Sequence, residues 1–168
     1  ASSGEPGEIV TVIIYATTEV PVRAVDVMIA FNTAAFTYVD TDFTTSALAG
    51  VAVELGQIDW SAVGAIDVRT YVYYEQGTPF PPTASWEFAR VRLRVRSGVG
   101  AGEYYAGVVR SVSQKPAATC LLTTDSTGCA PFTIVPGFVS VRATTRPSPP
   151  DVLVCGQDTR AAAPATLS

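Results

Sequence analysis

Histidine is absent from the 168 residues, and lysine, asparagine and methionine occur once each, as Lys115, Asn32 and Met28. Without histidine there is no Ser–His pair to activate a hydroxyl and no imidazole to ligate a metal. Charged residues are scarce, at 15% of the chain, and the formal net charge of −4 argues against a nucleic-acid partner. No apolar run approaches the roughly 18 residues that a membrane-spanning helix needs. What remains is an apolar content of 48%, too high for a solvated disordered chain. The length fits one domain and a tail, with enough chain to bury a sizeable core.

The start and the cysteines point to an oxidising compartment. The chain begins Ala1-Ser2-Ser3, as a mature end left by a signal peptidase would, although a trimmed fragment begins in the same way. Cys120 and Cys129 flank the turn-rich stretch from Leu121 to Gly128, where a disulfide would pin a long loop. Cys155 is then left over, either buried as an apolar residue or free to cross-link to another chain. These features predict a secreted protein, extracellular or at the cell surface.

Hydrophobic periodicity is two almost throughout. Val10, Val12 and Ile14 share a face in the run from Ile9 to Ala16, and Val25, Val27, Ile29 and Phe31 alternate with Asp26, Met28, Ala30 and Asn32. Shorter runs follow at Phe36–Val39 and Val51–Gly56, and longer ones at Ile66–Tyr73 and Arg90–Arg96. Tyr104–Val112 and Phe132–Val141 complete the set, with Gly, Pro and Asp clusters between runs. About eight strands at this spacing, without a long helical pattern, predict an all-β, antiparallel two-sheet β-sandwich. A short helical turn is expected near Thr44–Ala49, and Gln76–Pro82 reads as a loop. The predicted core is Val10, Val12, Val27, Ile29, Phe31, Val68, Val72, Val91, Leu93 and Val139.

The order of these elements resembles the cohesin family. Gly4-x-Pro6-Gly7-Glu8-x-Val10-x-Val12 is similar to a cohesin opening, and Ala24–Asn32 to the strand that follows. Ala89–Arg96 followed by Gly102–Tyr105 is similar to the penultimate hairpin, and Phe132–Val141, with Pro136-Gly137, to the final strand. The aromatic-Asp-Pro-x-x-Leu corner common in cohesins is replaced here by Phe31-Asn32-Thr33-Ala34-Ala35-Phe36. The resemblance covers residues 4–143 and implies a nine-stranded jelly-roll shared with some carbohydrate-binding modules. It implies a dockerin-type partner held on one sheet face, which here would include Asp26, Met28, Asp67, Arg69, Tyr71 and Tyr73. An ordinary solvated face, with Tyr71 and Tyr73 in cross-strand packing, is the alternative.

One departure from the family shapes the functional expectation. Cohesins carry a full strand before the Gly-x-Pro-Gly turn, whereas Ala1-Ser2-Ser3 is too short and too small to fill that slot. The domain of residues 1–143 is followed by a tail, 144–168. Its Thr144–Pro150 stretch reads as an extended spacer, and Val152-Leu153-Val154-Cys155, within 151–155, has strand chemistry. Those four residues are the candidate donor strand. The expected function is therefore a non-catalytic structural subunit of an extracellular filament or surface assembly, joined head to tail by donated strands. A linker, or closure of the tail on its own domain, is the competing use of that segment. A cohesin-like receptor for a dockerin-type partner and a carbohydrate-binding module are the alternative functions.

Other polar clusters carry less. No catalytic residue, metal or cofactor is expected. Asp40-Thr41-Asp42 supplies two carboxylates without a calcium ligand set. Glu54, Asp59, Asp67 and Glu103 provide carboxylates that no spacing pairs for glycoside hydrolysis. Arg90, Arg92, Arg94 and Arg96 share one strand face. They suit acidic glycans, an acidic partner, or protection of a sheet edge. Trp86 and Phe88 have the same parity, which would make an aromatic and arginine strip for sugar.

Overall fold

A computed structural model describes residues 2–47, 54–71, 83–113, 118–123 and 128–144, with residues 54–56, 67–71, 83 and 84 described by their backbone alone. Ten strands are present among them. In chain order they are β1 (Ser2–Gly4), β2 (Ile9–Thr18), β3 (Val22–Phe31), β4 (Phe36–Asp42) and β5 (Glu54–Trp60). After a single 3-10 turn at Ser61–Val63 come β6 (Ala65–Tyr71), β7 (Thr83–Val95), β8 (Gly102–Val109), β9 (Cys120–Thr123) and β10 (Phe138–Val141). One sheet has the order β1-β10-β8-β3-β6-β5, with β9 also on β3, and the other has the order β2-β7-β4. Every pairing is antiparallel except β1 with β10.

The core lies between the sheets, where alternation places it. Val10, Val27, Ile29, Phe31, Val91, Leu93 and Val139 are buried, as expected, together with Phe36, Val95 and Val141. Val12 is half-buried and packs against this cluster. The Val68 side chain and Val72 lie outside the described residues.

Local chemistry explains the corners. The Glu8 N–H donates to the Glu5 carbonyl at 3.0 Å across Pro6-Gly7, and Gly7 has φ +91°. That is a type II turn, with proline at its second position and glycine where φ must be positive. At the next corner Asn32 takes the place of the family's Asp-Pro. Its Oδ1 accepts from the Ala34 N–H at 2.9 Å, and its carbonyl accepts from the Phe36 N–H at 2.9 Å. The amide side chain thus builds the turn that a carboxylate would build.

Several expectations are corrected. The slot before the Pro-Gly turn is not empty: Ser2, Ser3 and Gly4 form β1, in register with Val139, Ser140 and Val141. Glycine suits position 4 because a Cβ there would stand 2.5 Å from Val10 Cγ1. The final strand begins at Phe138, not Phe132. Prolines 131 and 136 carry no N–H for a ladder, and Gly137 lies so close to the Ala106 and Gly107 backbone that a side chain there would collide. The run expected to end at Gly56 continues to Trp60, and Val51–Val53 lie outside the described residues. Cys120–Thr123 is a strand on β3, where a loop was expected. Residues 44–47 form a turn, closed by the Ser46 N–H to the Phe43 carbonyl at 2.9 Å, and Leu48 and Ala49 lie outside the described residues. Tyr73, the Gln76–Pro82 loop and the tail from residue 145, including Val152–Cys155, also lie outside them.

Strand β7 corrects the parity of Trp86 and Phe88. Ile14 pairs with Ala89 but Tyr15 pairs with Glu87, so Phe88 is an extra, bulged residue. The bulge turns Trp86 and Phe88 inward, where they are 4% and 0% exposed, so neither ring stands beside the arginines. Their rings meet edge to face at 6.1 Å inside the core. Truncating Phe88→Ala should therefore cost about 3–5 kcal/mol, read from denaturant midpoints. Tyr15→Ser, on the solvent face, should stay within about 0.5 kcal/mol of wild type. Equal costs for the two variants would contradict this placement of the bulge.

Candidate partner-binding face

The sheet face predicted to hold a partner is built by register. On β3 the residues turned away from the core are Ala24, Asp26, Met28 and Ala30, and they stand opposite Tyr71, Arg69, Asp67 and Ala65 of β6. Next across on β5 come Glu54, Gly56, Ile58 and Trp60. Asp26, Arg69, Asp67 and Tyr71 thus share a face on adjacent strands. Asp26 stands opposite Arg69 in the register.

Met28 does not belong to the accessible part of this face. It is 0% exposed, in a second small cluster with Ala65, against which Trp60, Val109 and Val112 pack. The chain after β8 produces this cover. Thr119 bridges the gap between β8 and β9 along β3: its hydroxyl accepts from the Met28 N–H at 3.0 Å and donates to the Val109 carbonyl at 2.6 Å. Ser111 pairs with Ala118 next to it in the chain. Cys120 and Cys129 form the expected disulfide, with Cα atoms 5.1 Å apart, which ties β9 to the segment leading into β10.

The sequence reading missed Ile58 and Trp60 on this face. Ile58 is 39% exposed and is in register with Asp67. Their alternation is hidden because the intervening Gln57 and Asp59 are polar and exposed, so neither side of the strand reads as core. Gln57 serves a structural purpose, since its Oε1 accepts from Tyr38 Oη at 2.9 Å and joins the β4 and β5 edges of the two sheets. Asp59 accepts from the Ser61 N–H at 2.7 Å and starts the 3-10 turn.

The arginine row lies on the other sheet. It does not guard an edge, because β7 is the middle strand between β2 and β4. Each guanidinium already has an acceptor. Arg90 binds Glu87 through two bonds of 2.8 and 3.0 Å, and Arg92 forms a two-bond pair with Asp40. Arg94 donates to the Gly7 carbonyl at 3.1 Å, and Arg96 to the Phe36 carbonyl at 3.3 Å. Asp42 accepts from the Thr44 N–H at 2.8 Å. The Asp40 and Asp42 carboxylates are thus engaged within the sheet, and no cluster of three or more metal-ligating side chains occurs among the described residues. Of the remaining carboxylates, Glu103 is exposed on β8, and Glu54 and Asp67 lie on β5 and β6.

These contacts carry a pH dependence. The Arg90 hydrogen bond, reinforced by Thr45, holds Glu87 below the usual carboxylate range, and the Thr44 N–H does the same for Asp42. A carboxylate whose folded pKa is depressed stabilises the fold above its unfolded pKa, and that contribution is lost as pH falls through the folded value. Stability should therefore hold from neutral pH to about 5 and decline below about 4. Glu87→Gln should flatten part of that decline in urea titrations at stepped pH. An unchanged acid limb in this variant would contradict the assignment.

No protein-family model matches the sequence, and no curated protein matches it. Solved structures do. The chain is similar to the cohesin CohA2 of Clostridium acetobutylicum, at 19% identity and a TM-score of 0.61, over 83% of this chain and 84% of that one. It is similar to the third ScaC cohesin of Acetivibrio cellulolyticus, solved with the ScaB dockerin, at 15% identity and a TM-score of 0.67, over 83% and 92%. The OlpA cohesin of Clostridium thermocellum, solved with a dockerin, gives 13% identity and a TM-score of 0.62, over 83% and 93%. With its two-sheet sandwich and these neighbours, the chain has the fold of a cohesin domain.

Proposed function

We propose that this chain is a non-catalytic, extracellular protein–protein assembly module that receives a dockerin-type partner on the outer face of the β8-β3-β6-β5 sheet. The observation that carries this reading is the register that sets Asp26 against Arg69 and Asp67 beside Ile58 on neighbouring strands. Alternating charge beside an exposed apolar residue is a surface that orients a partner by charge and holds it by burial. The neighbours solved with dockerins support the choice of partner. The Cys120–Cys129 bridge supports an oxidising location.

A second reading is favoured by one feature of the other side of the sandwich. Among the described residues β1 flanks the start of β2, where the Ser2 hydroxyl donates to the Thr11 carbonyl. Self-assembly into a head-to-tail filament through a donated Val152–Cys155 strand would place a further strand on this side. The Trp86 and Phe88 strip does not support a carbohydrate-binding role, since both rings are in the core.

Titration calorimetry against a panel of dockerin domains tests the first reading. At least one should bind, and Arg69→Glu should weaken that binding by about tenfold, or ~1.4 kcal/mol. The paired change Asp26→Arg with Arg69→Asp should recover part of the loss. A panel without any binder, or a binder indifferent to Arg69→Glu, would contradict the proposed face.

A further inference from the structure

We propose that partner binding on the β8-β3-β6-β5 face is gated by the oxidation state of Cys120 and Cys129: the disulfide form receives the partner and the dithiol form does not. This rests on the partner-face reading above and supplies its regulation.

Register puts the disulfide on that face. Cys120 of β9 stands opposite Asp26 of β3, and residues opposite each other in an antiparallel ladder project to the same side. The next residue, Leu121, stands opposite the buried Val25 and packs against the core, so Cys120 projects outward. Across the sheet at this level the order is Cys120, Asp26, Arg69 and Gly56. The disulfide therefore borders the face on one side of Asp26, as β6 does on the other.

The bond also holds a short strand in place. Strand β9 has four residues, and its pairing with β3 carries a register shift between Val22 and Ala24. Short ladders of this kind open locally far more readily than core strands. The disulfide fixes β9 to Cys129, beside which the Ala130 N–H donates to the Leu121 carbonyl at 2.8 Å. Thr119, the residue before β9, accepts from the Met28 N–H and donates to the Val109 carbonyl. Release of β9 thus frees a β3 donor and a β8 acceptor within the face. The buried residues of β2, β3 and β7 lie outside the loop that the bond closes, so the sandwich outlasts its reduction.

The chemistry is thiol–disulfide exchange. Cys129 is exposed and Cys120 is half-buried, so a soluble dithiol reaches the bond. Its thiolate attacks Cys129 Sγ, a mixed disulfide forms, and Cys120 leaves as a thiolate. The second thiol of the reductant then displaces Cys129. The reductant ends as its own disulfide, and its two electrons and two protons remain on Cys120 and Cys129. The reverse exchange with an oxidised dithiol closes the bond again. Binding is thereby confined to an oxidising compartment.

The test uses the full chain and a dockerin domain without cysteine that binds its oxidised form. Calorimetry compares the oxidised chain, the chain reduced with dithiothreitol, and the chain reoxidised afterwards. Reduction should weaken binding at least about tenfold, and reoxidation should restore it. Cys120→Ser with Cys129→Ser should bind as the reduced chain does and ignore the reductant. Hydrogen exchange at the Met28 amide should accelerate on reduction while the β-sheet circular dichroism is kept. Equal affinity of oxidised and reduced chains would overturn the gate and leave the partner face standing. So would a double-serine variant that binds like the oxidised chain, or one that still responds to the reductant and so points to Cys155. Loss of the β-sheet signal on reduction would make the bond a support of the whole fold and overturn the gate. A dockerin panel without a binder would overturn the partner face and the gate together.

Discussion

Backbone N–H and carbonyl groups along a strand have to find partners, and the β2–β7 ladder meets that demand at the centre of the smaller sheet. It runs from Ile9 to Thr18, with two register shifts. On the other side of β2 the Ser2 hydroxyl donates to the Thr11 carbonyl. At the opposite rim of the sandwich Tyr38 Oη ties β4 to Gln57 of β5, and Asp40 of β4 is held by Arg92. Side chains therefore join the two sheets where their ladders end.

Strand β7 makes this arrangement stable. Val91, Leu93 and Val95 anchor the core from one of its faces, and Arg90, Arg92 and Arg94 occupy the other. Four guanidinium groups on one strand would repel each other if left bare. Glu87, Asp40 and two backbone carbonyls accept from them, so the row is satisfied within its own sheet. The bulge at Phe88 lets the same strand place Glu87 outside next to Arg90 while adding two aromatic rings to the core. Surface charge and interior packing are therefore set by one extra residue.

The fold was legible in the sequence because burial on one face imposes period two, and β2, β3 and the later part of β7 keep it over long runs. The Cys120–Cys129 pair and the Pro6-Gly7 turn were legible for equally local reasons. The misreadings share a cause, which is that tertiary contacts broke the period. Phe88 sits in a bulge that only pairing with β2 reveals. Gln57 and Asp59 hide the end of β5 because their partners, Tyr38 and the Ser61 turn, supply contacts that burial would otherwise supply. Met28 read as a surface residue because it alternates with core positions. Trp60 and Val112, both distant from it in sequence, pack over it. Ser2–Gly4 read as too small for a strand because the close packing of Gly4 on Val10, which needs the absent side chain, is a tertiary contact.

The proposed partner face and the arginine row lie on different sheets, so variants can tell the two surfaces apart. Calorimetry of a binding dockerin domain against Arg69→Glu and against Tyr15→Ser, which changes the arginine side of the sandwich, tests the account most directly. The account predicts about tenfold weaker binding for Arg69→Glu and unchanged binding for Tyr15→Ser. Equal effects of the two variants would contradict it.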